Sequence, residues 1–218
     1  MKTEINLKEA LKIIKSQKTK FKSDLVETIE SFYEISEEIF IYNENTEMSE
    51  LILNDVITIV NGNLTVNGLI EEGEENDYSM LVVLGNVNCK NLISTQTIFI
   101  IGELNVEHLI VGQSGLDGFL NVDGNVNANT IIESEHNFEI KGEINANYIS
   151  TFDNINHKKG ISKPNLVDNV LLQKIKDFPN DYKGIEYKEM NDNILEDGFF
   201  DLEKAIEYVK KGGEIFTK

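Results

Sequence analysis

The sequence predicts a mainly β protein, a parallel β-helix (a solenoid) of about five coils with α-helical segments at both ends. The first observation is a phrase that recurs five times between Thr58 and Ser150, in which apolar and polar residues alternate around a glycine followed by Asn or Glu. The glycines that mark the copies are Gly62, Gly85, Gly102, Gly124 and Gly142. Alternation with a period of two indicates short, half-buried strands. Because one coil cannot bury its own inner face, successive coils must stack to form the core.

Each copy of the phrase supplies a set of side chains that we expect to point inward. They stand four and two residues before the glycine, and two, four and seven after it; in the third copy they are Ile98, Ile100, Leu104, Val106 and Leu109. We expect the glycine to form a corner, because glycine reaches backbone angles that a Cβ forbids. The single cysteine, Cys89, falls at an inward position and is predicted to be a small core residue.

An outward column follows three residues after each glycine. Its members are Thr65, Asn88, Asn105, Asn127 and Asn145. Amide side chains in such a column can hydrogen-bond along the stack. A structural feature of the scaffold is needed in every coil, whereas a ligand site occurs only once. We therefore interpret the column as structural rather than as a ligand site.

The segment before the repeat is patterned as two helices. Asn6 followed three residues later by Glu9 indicates a capping box at the start of the first helix, and apolar residues then recur at helical spacing. A second amphipathic stretch begins near Ser23 or Asp24. These residues form the predicted N-terminal helical cap.

The chain therefore divides into three predicted regions. Residues 1–50 form the N-terminal helical cap, residues 51–152 the parallel β-helix, and residues 153–218 a C-terminal helical cap that packs on the solenoid. Leu51 and Ile52 are assigned to the last side of an incomplete opening coil, since they precede the matching apolar pair of the first copy by 18 residues.

The C-terminal region contains two predicted helices. Asn165 to Phe178 is patterned as a helix that Pro179 ends, and Asp201 caps a later helix whose C-terminal cap is Gly212. Stacked coils leave unpaired backbone at both ends of a solenoid, and unpaired strand edges invite end-to-end association. We expect the terminal helices to cover these ends.

An outward apolar stripe lies before the glycines of the second and third copies. Its residues are Val82, Leu84, Phe99 and Ile101, where the fourth and fifth copies have Asn121, Asp123, Glu139 and Lys141. An exposed apolar stripe needs a cover or a partner. We expect a terminal helix of the same chain to pack there and the polar positions of the last two copies to face water; the alternative is an interface with another protein.

Charge is the second strong observation. The chain of 218 residues has a net charge of −18, and its 20 cationic side chains are all lysine. A phosphate backbone would be repelled, and arginine, the best residue for bidentate phosphate contacts, is missing, so nucleic acid is excluded as the main ligand. The charge instead favours a basic protein partner; an acidic surface that only interacts with solvent is the alternative.

No residues point to catalysis, a cofactor or a metal. The three histidines, His108, His136 and His157, have no metal-ligand spacing and are interpreted as surface residues. No apolar run is long enough to span a bilayer and the start of the sequence has no secretory apolar stretch, so we expect a cytoplasmic protein without membrane contact.

Two long connections, 71–79 and 111–119, are predicted to project from one edge of the solenoid. The first is rich in carboxylates without the ligand pattern of an EF-hand loop, and the second lacks the ending of a phosphate-binding loop. Projecting loops on a rigid scaffold often carry recognition. The candidate partner-binding residues on these loops are Glu71, Glu72, Glu74, Glu75, Asp77 and Asp117.

The repeat from Thr58 to Ser150 resembles that of the bactofilins, the polymer-forming cytoskeletal proteins of bacteria. The resemblance rests on the apolar alternation around the glycine, the Asn or Glu after it, and the Asn or Thr two residues further on. It implies a right-handed, three-sided parallel β-helix without enzymatic activity or cofactor. Bactofilins polymerise through bare end coils, whereas both ends of this chain are patterned as helices, which argues against filaments.

Two classes of function follow. The first is a non-enzymatic acidic protein-binding module of a bacterial cytosol, in its sharpest form an immunity-type protein that neutralises a basic toxin. The second is a bactofilin-like scaffold that self-assembles through its end coils. We expect a monomer or small homo-oligomer rather than a filament, and an enzyme is a distant third possibility.

Overall fold

The structure is a computed structural model. It describes residues 1–54, 56–72, 78–114, 118–150, 155–157, 165–166, 191–196 and 199–215. The elements in chain order are β1 (Lys2–Ile5), α1 (Leu7–Ser16), α2 (Lys22–Ser36), β2 (Ile39–Tyr42), β3 (Thr46–Met48), β4 (Leu51–Leu53), β5 (Ile57–Val60), β6 (Leu64–Glu72), β7 (Met80–Val83), β8 (Val87–Ser94), β9 (Thr97–Ile100), β10 (Leu104–Gln113), β11 (Phe119–Val122), β12 (Val126–Ser134), β13 (Asn137–Ile140), β14 (Ile144–Ser150), β15 (Ile155–His157), β16 (Asn165–Leu166), a 3₁₀ turn (Asp192–Ile194), β17 (Leu195–Glu196), β18 (Phe199–Phe200) and α3 (Leu202–Lys210).

The strands wind into a parallel β-solenoid, as predicted. One sheet has the order β1-β2-β5-β7-β9-β11-β13-β15, and a second has the order β16-β14-β12-β10-β8-β6-β3, with β4 also paired to β6. Each coil contributes a short strand to the first sheet and a long strand to the second, and the pairing register shifts in the middle of the long strand, after Val66 and Val106. The shift occurs where the long strand bends, because neighbouring coils have bends of different length.

The bend changes which residues point inward. Leu69 pairs with Asn91, and Ile70 pairs with Leu92. Ile70, not Leu69, belongs to the central core cluster, and the third coil repeats this with Ile110. The prediction that the seventh residue after the glycine points inward is therefore wrong in the first and third coils, because their bends contain one more residue than the bends of the other coils.

The opening coil is complete. Ile39 of β2 pairs with Ile57 of β5 in parallel, and both β3 and β4 pair with β6. The solenoid thus begins at residue 39, inside the region predicted to form the N-terminal cap. The signal was missed because this first coil lacks the glycine that marks the five later copies.

The corner glycines are required by close stacking. A Cβ on Gly85 would lie 2.7 Å from the carbonyl oxygen of Gly62, and a Cβ on Gly124 would lie 2.5 Å from that of Gly102. In the described part of the chain, Gly212 is the only glycine with a positive φ. The predicted reason for the corner glycines, unusual backbone angles, is therefore wrong: they leave room for the corner of the preceding coil.

The outward amide column forms the predicted ladder. Asn105 Nδ2 donates to Asn88 Oδ1 at 3.1 Å, Asn127 Nδ2 donates to Asn105 Oδ1 at 2.7 Å, and Asn145 Nδ2 donates to Asn127 Oδ1 at 2.9 Å. We call this row the amide ladder. Because each amide is held by its neighbours in the stack, the ladder fixes the register between coils.

Helices α1 and α2 pack on the outer face of the first sheet. The capping box forms as predicted, with Glu9 N donating to Asn6 Oδ1 at 3.0 Å. The outward apolar residues Val82 and Phe99 are buried in one cluster with residues of both helices, and the Phe21 ring meets the Phe99 ring edge-on at 6.0 Å between centroids. The predicted cover of the apolar stripe by a terminal helix is confirmed.

The start of the first sheet is covered by a strand and not by a helix. β1 pairs antiparallel with β2, from Lys2 opposite Tyr42 to Ile5 opposite Ile39. The helices cover the flank of the solenoid instead of its N-terminal end, because the apolar residues that need cover lie on the flank.

The polar positions of the fourth and fifth copies are less exposed than predicted. Asn121 is 6% exposed. Asp123 forms an ion pair with Lys20 at 3.3 Å, and the Lys141 ammonium lies 4.7 Å from the centre of the Phe21 ring. The expectation that these positions face water is wrong, because the connection between α1 and α2 reaches across to them.

The C-terminal helix α3 lies against the side formed by the ends of the long strands. Asp201 caps it by accepting from Lys204 N at 2.9 Å, and Gly212 has a φ of 83°, both as predicted. Asn165 and Leu166 form a strand, so the helix predicted from Asn165 does not begin there; the remainder of that segment lies outside the described residues. No helix in the described part is long and apolar enough to cross a membrane.

Candidate functional site

The predicted partner-binding residues that the structure describes are Glu71 and Glu72. Glu71 points outward, forms an ion pair with Lys210 of α3, and has a side chain that is 18% exposed. Glu72 is fully buried. Glu74, Glu75, Asp77 and Asp117 lie outside the described residues. Of the two described candidates, Glu71 therefore retains some solvent exposure and Glu72 is inaccessible to a partner.

Glu72 points inward because it continues the alternation of its strand beyond Ile70. Its Oε2 accepts hydrogen bonds from Ser94 Oγ at 2.8 Å and from Gln96 N at 3.3 Å. Burial raises the pKa of Glu72 to about 8, although these hydrogen bonds act in the opposite direction. The expectation that Glu72 lies on a projecting loop is wrong, since the strand extends one inward position further than predicted.

Glu72 is one end of a row of hydrogen-bonded polar side chains. The row lies at the corner between each long strand and the short strand of the first sheet that follows it. Ser94 Oγ lies 3.1 Å from His136 Nε2, and His136 Nδ1 lies 2.9 Å from Ser114 Oγ. Since the Ser94 hydroxyl donates to Glu72, it accepts from Nε2–H, which leaves Nδ1 to accept from Ser114. We call Glu72, Ser94, His136 and Ser114 the corner chain.

His136 is fully buried, so the prediction that it lies on the surface is wrong. Burial lowers its pKa to about 4, with the nearby charge of Glu133 acting in the opposite direction. The space for its ring comes from Gly112, because a Cβ there would lie 2.8 Å from His136 Cδ2 and would also clash with the ring of Phe138. At neutral pH the imidazole is neutral and the Glu72 carboxyl is largely protonated.

The corner chain links four successive coils by side-chain hydrogen bonds. Glu72 ends the long strand of the first coil, Ser94 that of the second, Ser114 follows that of the third, and His136 follows that of the fourth. The imidazole and the carboxyl are shielded from solvent, so the corner chain presents no exposed acid–base pair. A sequence signal existed, because in three coils a polar residue stands two positions after the inward apolar residue: Glu72 after Ile70, Ser94 after Leu92 and Glu133 after Ile131.

The amide ladder lines one wall of an open groove on the second sheet. The groove has a volume of about 670 Å³, and its other wall includes Lys90, Glu107 and His108. Cys89 lies behind its floor, 7% exposed, and burial raises the pKa of this thiol to about 12. The predicted core role of Cys89 is confirmed, and its thiol is not a ready nucleophile.

Charge is distributed unevenly over the surface. There is no lysine between Lys22 and Lys90. Nine exposed carboxylates lie on α2 and the opening coil, which we call the acidic surface: Asp24, Glu27, Glu30, Glu34, Glu37, Glu38, Glu44, Glu47 and Glu50. Glu44 pairs with the terminal amine of Met1 at 3.6 Å, and in the described part of the chain none of the other eight forms an ion pair.

No protein-family model, curated protein or solved structure matches the chain. Among the described residues, no group of three or more His, Cys, Asp or Glu side chains could hold a metal ion. We take the acidic surface as the candidate site for recognition.

Proposed function

We propose that this chain is a non-enzymatic protein-binding module of a bacterial cytosol, an immunity-type protein that neutralises a basic toxin. The observation that carries the proposal is the acidic surface. Its carboxylates are exposed and, with the exception of Glu44, form no ion pair with any described residue. Their negative charge therefore attracts an approaching cationic protein. Such attraction raises association rates and favours basic partners over acidic ones.

The rigidity of the scaffold supports the same function. The opening coil, which carries Glu44, Glu47 and Glu50, is paired strand by strand with the next coil of the stack. Carboxylates on such a frame keep their mutual spacing, which lowers the entropic cost of ordering the surface when a partner binds. The burial of Glu72 and His136 supports a binding role over a catalytic one, because no substrate reaches the imidazole.

The alternative is a bactofilin-like scaffold that self-assembles through its end coils. The resemblance of the repeat favours it, but β1 argues against it. This antiparallel strand occupies the edge of the first sheet where another copy would have to add its own strand in parallel. β1 also carries exposed charged residues, Lys2 and Glu4, which discourage further strand addition.

Growth rescue tests the proposal. The product of the neighbouring gene is expressed alone and together with this chain, and we expect arrest in the first case and growth in the second. The variant Glu44→Gln, Glu47→Gln, Glu50→Gln should lose the rescue, whereas Glu203→Gln, Glu207→Gln, Glu214→Gln, which neutralises three exposed carboxylates near the C-terminus, should keep it. A neighbouring product without toxicity, or equal rescue by both variants, would contradict the proposal.

A further inference from the structure

The helical flank carries two stripes of opposite charge. On α1, the exposed side of the helix presents Lys8, Lys12 and Lys15, while Ala10 and Ile14 on the inner side are buried. In the described part of the chain these three lysine ammonium groups form no ion pair. We call them the lysine stripe. They are a local exception on a protein of net charge −18.

The glutamate stripe lies on the exposed side of α2. It consists of Glu27, Glu30 and Glu34, while Leu25 and Ile29 are buried beneath it. Like charges one turn apart destabilise a helix, and carboxylates near a helix C-terminus oppose its dipole. The like charges within each stripe repel one another, and an oppositely charged surface would relieve that repulsion.

The two helices form a hairpin. Only residues 17–21 separate α1 from α2, and Lys22 Nζ, at the start of α2, donates to the carbonyl of Lys15 in the last turn of α1 at 3.1 Å. Two helices joined by so short a connection and packed on the same sheet face run antiparallel. The lysine stripe and the glutamate stripe thus lie side by side on one flat surface.

The stripes have the same spacing when read in opposite directions. From Lys8 the lysines follow after four and three residues, and from Glu34 backwards the glutamates also follow after four and three residues. A twofold axis parallel to the helices and midway between them places α1 of each copy over α2 of the other, antiparallel. The equal spacing allows the three lysines of one stripe to pair with the three glutamates of the other, Lys8 with Glu34, Lys12 with Glu30 and Lys15 with Glu27.

We propose that the helical flank is the interface of a twofold symmetric homodimer, in which the lysine stripe of each copy docks on the glutamate stripe of the other. The occupant is a second copy because the chain itself supplies the complementary charges in matching register. Such an interface is self-complementary and closes at two subunits. It uses the α2 part of the acidic surface and leaves the opening coil, with Glu44, Glu47 and Glu50, accessible to a basic partner.

Sedimentation at about 100 µM protein tests the dimer in about 20 mM and about 500 mM salt, since exposed charge pairs are screened at the higher value. We expect a mass of twice 24.7 kDa at low salt and a twofold fall at high salt. A monomer at low salt would overturn the proposal. The measurement needs no partner protein, so its outcome is independent of the proposed function.

Charge reversal identifies the surfaces. The variants Lys8→Glu, Lys12→Glu, Lys15→Glu and Glu27→Lys, Glu30→Lys, Glu34→Lys should each be monomeric, and the variant with all six substitutions should dimerise again. The second variant lowers the net negative charge, so if overall repulsion controlled association it would associate more strongly than the wild type, and that result would overturn the proposal. Lys90→Glu, Lys204→Glu, Lys211→Glu is the matched control and should remain dimeric, with circular dichroism verifying the fold of every variant.

Discussion

The hydroxyl of Ser94 lies 2.8 Å from Glu72 Oε2, and this contact joins two residues that are 22 positions apart in the sequence and one coil apart in the stack. Together with the contact between Ser94 and His136 at 3.1 Å, it makes the interior of one corner polar, beside the apolar central core cluster. The two ionisable groups of the corner chain, Glu72 and His136, have pKa values displaced in opposite directions. The stability of the folded state therefore depends on pH in a specific way.

The contribution of the corner chain to stability should be level from about pH 4.5 to 6.5 and fall as the pH rises from about 6.5 to 8. The pKa of Glu72 is raised from 4.5 to about 8, so the folded state holds a proton that the unfolded state has released, and stability falls with pH across that interval. The pKa of His136 is lowered from 6.5 to about 4, so stability rises with pH across that interval. The two slopes, each about 1.4 kcal/mol per pH unit, cancel where they overlap.

Urea titrations of the wild type and Glu72→Gln at pH 5.5, 6.5, 7.5 and 8.5 measure this effect. Glutamine mimics the protonated carboxyl, so the variant should lose the fall above pH 6.5. The difference between the two proteins removes the contribution of the surface carboxylates that both share. Parallel curves for the wild type and the variant would show that Glu72 ionises normally in the folded state.

Replacement of Ile100 by Asp should unfold the protein. Ile100 is 1% exposed and lies in the central core cluster, where a carboxylate finds no cation in the stack. We expect a loss of at least about 4 kcal/mol in the free energy of unfolding. Circular dichroism and limited proteolysis provide the measurement. The matched control is Asn43→Asp, which adds the same charge at an exposed position and should leave the fold intact.

Replacement of Asn105 by Ala should destabilise the solenoid moderately. The substitution removes two rungs of the amide ladder, to Asn88 at 3.1 Å and to Asn127 at 2.7 Å. At a net value of about 1 kcal/mol for each hydrogen bond, the loss is about 2 kcal/mol. Asn43→Ala, an exposed asparagine outside the ladder, is the control. Equal urea midpoints for both variants would mean that the ladder contributes nothing to stability.

Replacement of Gly102 by Ala should destabilise the protein more than replacement of Gly212 by Ala. A Cβ on Gly102 would lie 2.6 Å from the carbonyl oxygen of Gly85, so the corner of one coil would have to move away from the next. At Gly212 nothing lies within 4 Å, and the cost is only that of a positive φ, about 1 kcal/mol. Thermal unfolding compares the two variants. If Gly212→Ala were the more destabilising variant, unusual backbone angles would again be the better explanation for the corner glycines.

The alternation of apolar and polar residues was sufficient to predict the stacked coils, the inward core and the amide ladder. Side chains of a strand point alternately to its two faces, so the faces follow from the order of residues alone. Asn6 with Glu9, and Asp201 with Lys204, were equally predictable, because a helix cap depends on residues three positions apart. The cover over Val82 and Phe99 was predictable from the exposed apolar area, although the pattern did not say which helix supplies it.

The residues whose placement differs from the prediction are explained by contacts between coils or helices. Ile70 points inward in place of Leu69 because its coil bends over two residues where the next bends over one, and only the pairing with Leu92 reveals it. His136 is buried because Gly112, 24 residues earlier, leaves its ring space. The complementary stripes on α1 and α2 are adjacent only because the helices turn back on the same sheet face.

The sequence by itself thus determined the repeating coil, its apolar interior and the negative charge of the protein, since each depends on neighbouring residues or on composition. The tertiary structure decided which carboxylate is buried, which histidine is neutral, and that α1 and α2 present their opposite charges on one surface. Those properties depend on distances between residues from different coils and helices, and such distances are set by the stacking register and not by the local pattern.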